Sequence, residues 1–255
     1  MPFSGQTIII TGAGKGIGRA TAELLTQRGA RIVALSRTQS DLDTLSRDTG
    51  ARGIAVDLSD PLAARRAIVQ AGACDALVNC AGTNVLESVF DLTDGGYDRV
   101  MDINLRAALV CSSEFAAKRR SAGGGGTIVN ITSIAGHRGF NDHLCYAASK
   151  AGLEAATRVM ARELGPEGIR VLAVAPTVTM TELAAEAWSD PVKSQPMLDR
   201  HPIGRFAEAT DVAQAIAIAL SKDASMMTGS VLAVEGNRKN PTNSKIARNS
   251  TCSTL

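Results

Sequence analysis

The chain has 255 residues, of which 45% are apolar, 20% are charged and only 3% are aromatic. This length predicts one large domain or two small ones, with a core that needs no metal or disulfide for stability. The apolar content excludes disorder over most of the chain, and no apolar run reaches the ~18 residues needed to cross a bilayer. The first residues show neither a basic segment nor a cleavage site, so we expect no secretory signal.

The net charge of +2 depends on the last residues of the chain. Residues 237–255 carry four basic residues and no acid, so residues 1–236 alone have a net charge of −2. Because the basic residues form a polar tail and not a basic face, this distribution argues against nucleic acid as a partner. We expect the tail, residues 237–255, to be disordered or non-native.

The five cysteines are scattered and form no CxxC pair, which predicts reduced thiols in a cytoplasmic protein. One of them, Cys145, precedes a candidate catalytic residue, and we expect it to be a buried, inert thiol. No cluster of His, Cys and carboxylate residues has the spacing of metal ligands, so we expect no metal site.

Short β-branched runs alternate with longer amphipathic segments along the chain. Their nearly continuous apolar residues are typical of strands buried on both faces of a parallel sheet. The predicted strands are Thr7–Thr11, Arg31–Leu35, Gly53–Val56, Ala76–Asn79, Thr127–Ile131, Arg170–Ala175 and Ser230–Val234. The pattern predicts one α/β domain, residues 1–236, built as a doubly wound Rossmann-type parallel sheet of seven strands.

Helix signals fill the segments between these strands. The apolar stripe of 17–28 predicts a helix that ends at Gly29, a residue type favoured after helix C-termini. Asp60 followed by Pro61 is typical of a helix start. A further apolar helix is predicted from Asp211 to Leu220, behind Thr210.

The first predicted strand runs directly into a glycine-rich loop, residues 11–18, which reads TGAGKGIG. Glycines at this place allow a tight turn, a close approach of the backbone to a pyrophosphate, and close packing of helix and sheet. The N-terminus of the following helix offers free N–H groups to the phosphates. Between a strand and an amphipathic helix, this loop predicts a dinucleotide site.

The residues after the second predicted strand indicate which dinucleotide binds. An NAD site typically has an acid there for the ribose 2′-hydroxyl, whereas this chain reads Ser36-Arg37-Thr38. Arg37 suits a 2′-phosphate, and Lys15 adds a second cation, although both residues can also be solvated surface charges. The pair favours NADP(H). After the third strand, Asp57 and Leu58 are placed to meet the adenine, with a helix cap as the alternative for Asp57.

Tyr146 and Lys150 lie four residues apart in a predicted helix, so their side chains share one face. A phenol is a poor proton-transfer group at neutral pH, and a nearby cation is expected to lower its pKa. Ser133, after the fifth strand, can donate to the same substrate oxygen, and Asn104 can orient a backbone bend near Lys150. A Tyr–Lys pair with this spacing usually lies on a helix surface and has no catalytic role. In a chain that also has the glycine-rich loop and a serine after the fifth strand, the pair predicts a catalytic site.

The chain resembles the short-chain dehydrogenase/reductase family, on the motifs of residues 11–18 and 79–82 and on Asn104, Ser133, Tyr146 and Lys150. The resemblance implies that Tyr146 is the acid/base, Ser133 stabilises the substrate oxygen, Lys150 holds the nicotinamide ribose, and Asn104 anchors a proton relay. The cofactor-binding residues that it implies are Gly12, Gly14, Lys15, Gly16, Ile17, Gly18, Ser36, Arg37, Thr38, Asp57, Leu58, Asn79, Ala81, Gly82, Tyr146, Lys150, Pro176 and Val178.

Within this family the chain resembles the subgroup that reduces small ketoses and α-dicarbonyls, such as L-xylulose or diacetyl, with NADPH. The similarity includes His143 and the segment 187–191 with Trp188, the only tryptophan. It implies that Ser133, His143, Tyr146 and Trp188 contact the substrate. The alternatives are a surface or helix-cap histidine for His143, and packing of a helix over the core for Trp188. A 3-oxoacyl thioester reductase, a polyol dehydrogenase working in the oxidative direction, and a silent NADP-binding regulator remain as other functions.

Three departures from the family pattern stand out. Cys80 replaces the usual second Asn after the fourth strand, and Thr177 replaces the common glycine after Pro176. The residues from Asn237 onward differ entirely from the short apolar ending of the family. In the family that ending often packs between subunits. The resemblance as a whole implies a homotetramer or homodimer, and this departure concerns the part of the chain that would lie at the interface.

Overall fold

The computed structural model describes residues 1–182, 184, 188 and 190–236, with the backbone alone at Lys193. The predicted tail, residues 237–255, lies outside the described part. The strands are β1 (Thr7–Thr11), β2 (Arg31–Ser36), β3 (Arg52–Ala55), β4 (Ala76–Asn79), β5 (Gly126–Ile131), β6 (Ile169–Pro176), β7 (Thr179–Met180), β8 (Ala207–Glu208) and β9 (Val231–Val234). The helices are α1 (Gly16–Gln27), α2 (Gln39–Thr49), α3 (Pro61–Ala71), α4 (Asp94–Met101), α5 (Ala107–Ser121), α6 (Leu144–Leu164), α7 (Pro191–Leu198) and α8 (Ala209–Leu220).

Seven strands form one parallel sheet in the order β3-β2-β1-β4-β5-β6-β9, which confirms the predicted Rossmann-type fold. The chain order reverses direction between β1 and β4, which are direct neighbours. Loops after these two strands leave to opposite faces of the sheet and open a crevice at the strands' carboxyl ends. The two shortest strands, β7 and β8, pair separately, with Thr179 opposite Ala207.

The core consists of one apolar layer on each face of the sheet. Ile8 and Ile10 of β1 pack into the layer covered by α1 and α8, whereas Ile9 packs into the layer covered by α3 and α5. Side chains alternate between faces along a strand, so a continuous apolar run serves both layers. Burial on both faces is the reason that these strands are recognisable in the sequence.

Local signals set most of the element boundaries. The Asp60 carboxylate accepts a hydrogen bond from the Leu62 N–H at 2.8 Å, and Gly29 has a φ of +96°, as expected at these ends. The predicted start of the last helix behind Thr210 is wrong. A capping box of Glu208 and Asp211 starts α8 at Ala209, because two reciprocal hydrogen bonds outweigh one hydroxyl cap.

Three further expectations concern membranes, thiols and metals. In the described part of the chain, no helix has the length and apolar character of a membrane span. The four cysteines that this part contains are free thiols. It contains no group of three or more His, Cys, Asp and Glu side chains suited to a metal ion.

Candidate active site

A cleft of about 1090 Å³ lies at the carboxyl ends of the strands, between the loops that diverge from β1 and β4. It extends from Arg37, beyond β2, to Trp188, on the far side of β6. The sequence-predicted site residues that line it are Gly12, Lys15, Ile17, Gly18, Ser36, Arg37, Thr38, Asp57, Leu58, Ala81, Gly82, Ser133, His143, Tyr146, Lys150, Pro176, Val178 and Trp188.

The glycine loop and the loop after β4 form a narrow cradle at one end of this cleft. The Thr11 hydroxyl accepts hydrogen bonds from the backbone N–H groups of Cys80 and Ala81, both at 3.0 Å, and so fixes the two loops together. Gly12 has a φ of +67°, and a Cβ there would lie 2.8 Å from the Ala81 Cα. The side chain of Lys15, the N-cap residue of α1, makes no capping hydrogen bond. The N–H groups at the start of α1 are therefore available to a phosphate, and the cradle fits a dinucleotide pyrophosphate.

Two predicted glycines lie behind the cleft surface. A Cβ on Gly14 would approach the Ser36 hydroxyl oxygen to 2.7 Å, so the loop packs closely against the end of β2. Gly16 has a φ of +54° and faces Thr181, whose methyl carbon would lie 3.1 Å from an added Cβ. Both glycines shape the loop through its backbone and do not border the cavity themselves.

Asn79, also predicted to contact the cofactor, turns its side chain away from the cleft. Its amide nitrogen donates to the Asn130 side-chain oxygen at 2.8 Å and to the Ser112 hydroxyl at 2.9 Å. The alternation of a strand directs residue 79 to the face covered by α5, opposite to the cradle. Its side chain therefore ties β4, β5 and α5 together, and any contact of Asn79 with a cofactor involves its backbone.

Positively charged side chains lie at the end of the cleft beyond β2. Arg37 is exposed and makes no ion pair with a described residue, and the Lys15 ammonium lies 3.8 Å from the Asp41 carboxylate. Asp57 accepts hydrogen bonds from the Ser59 N–H and hydroxyl, and these bonds, with a smaller effect of Arg37, hold its pKa below the ordinary value. The α3 cap is Asp60, so the helix-cap alternative for Asp57 is excluded.

The catalytic candidates converge in the middle of the cleft. Tyr146 and Lys150 occupy successive turns at the start of α6, and the Lys150 ammonium lies 5.7 Å from the centre of the Tyr146 ring. Ser133 follows β5, where its hydroxyl oxygen accepts the Ala135 N–H and its proton remains available for a hydrogen bond to Tyr146. Lys150 donates to the Ile131 carbonyl at 2.8 Å, which fixes its long side chain.

The expectation that Lys150 lowers the pKa of Tyr146 is wrong for this structure. Burial raises the pKa of the phenol above its ordinary value, and the hydrogen bond with Ser133 is the influence that lowers it. Burial also lowers the pKa of Lys150 to about 8. At neutral pH the pair therefore consists of a protonated phenol and a buried ammonium.

Asn104 lies behind this group and contacts it through a neighbour. A π-helical turn, Asp102–Arg106, displaces it from the line of α4 and α5. Its amide oxygen accepts the Thr83 N–H at 2.7 Å, while its nitrogen donates to the Thr83 carbonyl and the Ser149 hydroxyl. The Ser149 hydroxyl in turn donates to the Tyr146 carbonyl at 2.7 Å. Asn104 thus joins the loop after β4 to the turn of α6 that carries the tyrosine.

Aromatic side chains form the other end of the cleft. The His143 ring meets Tyr146 edge-on, with centroids 5.9 Å apart, and Phe140 lies 5.8 Å from His143. His143 occupies the N-cap position of α6, as the cap alternative expected, but its side chain makes no capping hydrogen bond. On the opposite side, Trp188 packs against Phe206 at 5.5 Å. Trp188 thus lines the cleft and also packs on a neighbouring element.

Cys80, the first departure from the family pattern, packs toward the α1 layer and also borders the cleft. Burial raises its pKa to about 12, so it is a neutral thiol at pH 7. The thiol of Cys145 is buried too, and its pKa is raised by burial and by Glu87. Neither thiol has the lowered pKa of a reactive cysteine.

Sequence reasoning missed several residues of the aromatic end as site residues: Phe140, Thr177, Met197, Arg200, His201 and Phe206. Phe140, Thr177, Met197 and Arg200 line the cleft, and His201 and Phe206 lie directly behind it. Thr177 is separated from His201 by 24 residues, and no periodic pattern connects them. The departure from glycine at position 177 was the one available signal, since an added side chain there needs room or a partner.

Comparisons with known proteins agree with this geometry. The sequence profile of a family described as enoyl-(acyl carrier protein) reductase matches residues 12–236. A solved structure of a short-chain dehydrogenase/reductase family protein is 35% identical, covers 92% of this chain and 98% of its own, and superposes with a TM-score of 0.87. The chain belongs to the short-chain dehydrogenase/reductase family. As a member of that family, it is an oxidoreductase.

Two more members of the family are similar over nearly their whole length. The L-xylulose reductase of Bos taurus is 45% identical, with 92% of this chain and 96% of that protein covered. A structure assigned as a candidate 2-deoxy-d-gluconate 3-dehydrogenase from Agrobacterium tumefaciens, with bound NADP, is 33% identical and has a TM-score of 0.86. That likeness covers 92% of this chain and 97% of the other.

Proposed function

We propose that this protein is an NADPH-dependent reductase that transfers a hydride to the carbonyl of small ketoses or α-dicarbonyls, with Tyr146 as the proton donor. The observation that carries the proposal is that Ser133, Tyr146 and Lys150 line the same cleft as the glycine cradle, with the Lys150 ammonium 5.7 Å from the centre of the Tyr146 ring. The likeness to an L-xylulose reductase supports the substrate class.

The proton chemistry follows from the charge states of this group. When bound, the reduced nicotinamide supplies the hydride. Tyr146 is protonated at pH 7, since an ordinary phenol has a pKa of about 10 and burial raises it further, so it has a proton to give to the carbonyl oxygen. The Ser133 hydroxyl can donate to the same oxygen and stabilise the negative charge that develops on it. The Lys150 ammonium, protonated below its pKa of about 8, stabilises the phenolate that remains.

Positioning is the role proposed for Asn104. It touches neither the phenol nor the lysine ammonium by a hydrogen bond among the described residues, and acts through Ser149 and the Thr83 backbone. These bonds fix the first turns of α6 relative to the cradle. A fixed distance between proton donor and hydride donor is what a concerted transfer needs.

The cofactor proposal rests on the end of the cleft beyond β2. Arg37 is free to form charge-assisted hydrogen bonds with a 2′-phosphate, and no acid follows β2 directly. Lys15 can contribute a second cation, although its ion pair with Asp41 must then loosen. The NADP in the related Agrobacterium tumefaciens structure supports this choice.

The substrate proposal rests on the aromatic end. His143 and Trp188 would enclose a small carbonyl compound between them, next to Ser133 and Tyr146. The His143 Nδ1 is 2.6 Å from the Asn141 carbonyl, which leaves its Nε2 to accept a hydrogen bond from a hydroxyl of a sugar. A homotetrameric or homodimeric assembly in the cytoplasm stays a prediction.

A steady-state assay of NADPH oxidation tests the proposal directly. The panel would contain L-xylulose, diacetyl and acetoacetyl-CoA, with polyol oxidation measured in the reverse direction. We expect L-xylulose and diacetyl to have the highest kcat/KM. A preference for acetoacetyl-CoA would assign the protein to the 3-oxoacyl thioester reductases, and turnover of none of these compounds would overturn the proposal.

A further inference from the structure

His201 lies where three separate segments of the chain meet. It follows α7, and its ring contacts Thr177, the residue after β6, and Phe206, the residue before β8. The side chain is 97% buried, since only 3% of its surface is exposed. Histidine is seldom buried to this degree without a specific set of partners.

Both nitrogens of the ring have partners. Nδ1 is 2.8 Å from the Met197 carbonyl, which can only accept, so Nδ1 carries a proton. In the neutral ring Nε2 is then an acceptor, and the Thr177 hydroxyl donates to it at 2.9 Å. Thr177 is itself buried and forms part of the cleft wall. His201 therefore fixes a residue of the cleft without bordering the cleft.

The same ring also supports Trp188, a second residue of the cleft lining, through Phe206. Phe206 packs edge-on against His201 at 5.7 Å and then against Trp188 at 5.5 Å. The contacts form one continuous chain from Thr177 through His201 and Phe206 to Trp188. Neither His201 nor Phe206 appears on the cleft surface itself, so their effect on a ligand passes through Thr177 and Trp188.

We propose that His201 is a positioning residue that fixes Thr177 and Trp188 relative to each other in the cleft lining, and thereby sets the affinity for the carbonyl substrate. The inference deepens the function proposed above and rests on it for its kinetic readout. Ser133 follows β5, and Tyr146 and Lys150 lie on α6; none of the hydrogen bonds and ring contacts described above for His201 involves these two elements. The chemical step is therefore expected to persist when His201 is replaced.

The test uses His201→Leu and Thr177→Val in the full-length chain. Each removes the hydrogen bond at nearly constant volume, and leaving a buried partner unsatisfied is expected to raise the carbonyl KM about tenfold. We expect kcat and the Kd of NADPH to change less than about threefold. The double variant should be no worse than the worse single variant, because both substitutions break the same contact.

Conservative variants separate positioning from general damage. Thr177→Ser keeps the hydroxyl, and His201→Gln keeps a hydrogen-bonding atom near the Nε2 position, so both should restore most of the substrate affinity. Val192→Ala, at an exposed site of α7, is the matched control for a change in this segment. Effects that multiply in the double variant, or a His201→Leu enzyme with unchanged KM, would overturn the proposal.

Tryptophan fluorescence gives a readout that does not need activity. Trp188 is the only tryptophan of the chain, so its emission reports on this wall alone. His201→Leu should increase quenching of Trp188 by acrylamide, and Thr177→Ser should not. If the unmutated protein reduces no carbonyl, the proposed function fails while this measurement still decides the positioning role; unchanged quenching in His201→Leu and Thr177→Val would refute that role.

Discussion

The two ends of the cleft are built in different ways. The cradle consists of backbone: Gly12 approaches the Ala81 backbone, and Thr11 holds both loops together by hydrogen bonds to N–H groups. The aromatic end consists of side chains from segments far apart in the chain, such as Phe140, Trp188 and Phe206. Tyr146 and Lys150, the proposed catalytic pair, lie between the two ends.

This difference separates what is general from what is specific in the molecule. A cradle of backbone atoms recognises phosphates, which every dinucleotide shares, and it tolerates few substitutions because glycines have no spare space around them. A wall of side chains can change its shape by substitution at each contact. We infer that the cradle determines whether the enzyme binds its cofactor and is active, and that the aromatic end determines which substrates it accepts.

We expect the largest loss of activity from Tyr146→Phe, at the boundary between the two ends of the cleft. Removing the hydroxyl removes the proton donor, and turnover should fall by about three orders of magnitude. NADPH binding should persist, because the phenyl ring still fills its place. Steady-state kinetics and cofactor titration measure the two effects. Tyr97→Phe, at the other tyrosine of the chain, is the control on α4; unchanged turnover in Tyr146→Phe would remove the mechanism.

The next largest effect is a loss of NADPH affinity in Gly18→Ala, a substitution in the cradle. A Cβ at residue 18 would overlap the Gly12 carbonyl oxygen, and no flexible side chain is there to move aside. Overpacking of this kind costs about 1–3 kcal/mol, which corresponds to a loss of NADPH affinity of roughly 5- to 150-fold if the loop shifts. Gly95→Ala is the matched control in α4, because nothing lies within 4 Å of its added Cβ. Equal NADPH affinities for the two variants would contradict a close-packed cradle.

The buried ammonium of Lys150 predicts an unusual dependence of stability on pH. The pKa of Lys150 is about 8 in the folded protein, against 10.5 for an ordinary lysine. Between these values the unfolded chain binds more protons, so the contribution of Lys150 to the free energy of unfolding increases with pH. Below pH 8 both states are protonated, and the burial of the charge has its full cost.

The measurement compares the unmutated protein with Lys150→Met, without cofactor, by urea unfolding from pH 7 to pH 10. The difference in the free energy of unfolding should shift in favour of the unmutated protein by up to about 3 kcal/mol as the pH rises. Lys222→Met removes an exposed lysine and controls for general effects of pH. A difference that stays constant over this range would show that the ammonium is not destabilised by burial.

Some secondary-structure elements could be predicted from the sequence and others could not. The strands were predictable because burial on both faces requires continuous apolar runs, and β1 and β4 begin and end at the predicted residues. The start of α8 was not predictable. Whether Glu208 or Thr210 caps the helix depends on the side chain of Asp211, which also forms an ion pair with Arg205. A two-residue strand such as β7 is too short to carry a pattern.

In the site, motifs predicted which residues gather in the cleft but not where every side chain points. Asn79 belongs to a matching motif, yet the alternation of β4 places its amide in a buried network. The direction of the Tyr146 pKa shift could not be predicted either, since it depends on how deeply the fold buries the phenol, and burial outweighs the hydrogen bond with Ser133. Contacts such as Thr177 with His201 join distant segments, and no local rule predicts them.

The smallest of these effects, and the sharpest test of the phosphate end, is the change of cofactor preference in Arg37→Asp. The substitution removes a cation from the expected 2′-phosphate position and supplies an acceptor for a ribose 2′-hydroxyl. A charge-assisted hydrogen bond contributes about 1.5–3 kcal/mol, so the ratio of kcat/KM for NADPH to that for NADH should fall by roughly 10- to 100-fold.

Arg158→Asp controls for the change in net charge in Arg37→Asp, because residue 158 is exposed on α6 and outside the cleft lining. Its cofactor preference should equal that of the unmutated enzyme. Equal use of NADH and NADPH by the unmutated enzyme would reject the role of Arg37 altogether. A preference that survives Arg37→Asp would instead assign the 2′-phosphate to Lys15, whose ion pair with Asp41 would then have to open on binding. The double variant Arg37→Asp/Lys15→Ala tests this assignment. If Lys15 binds the 2′-phosphate, the preference for NADPH that remains in Arg37→Asp should disappear in the double variant.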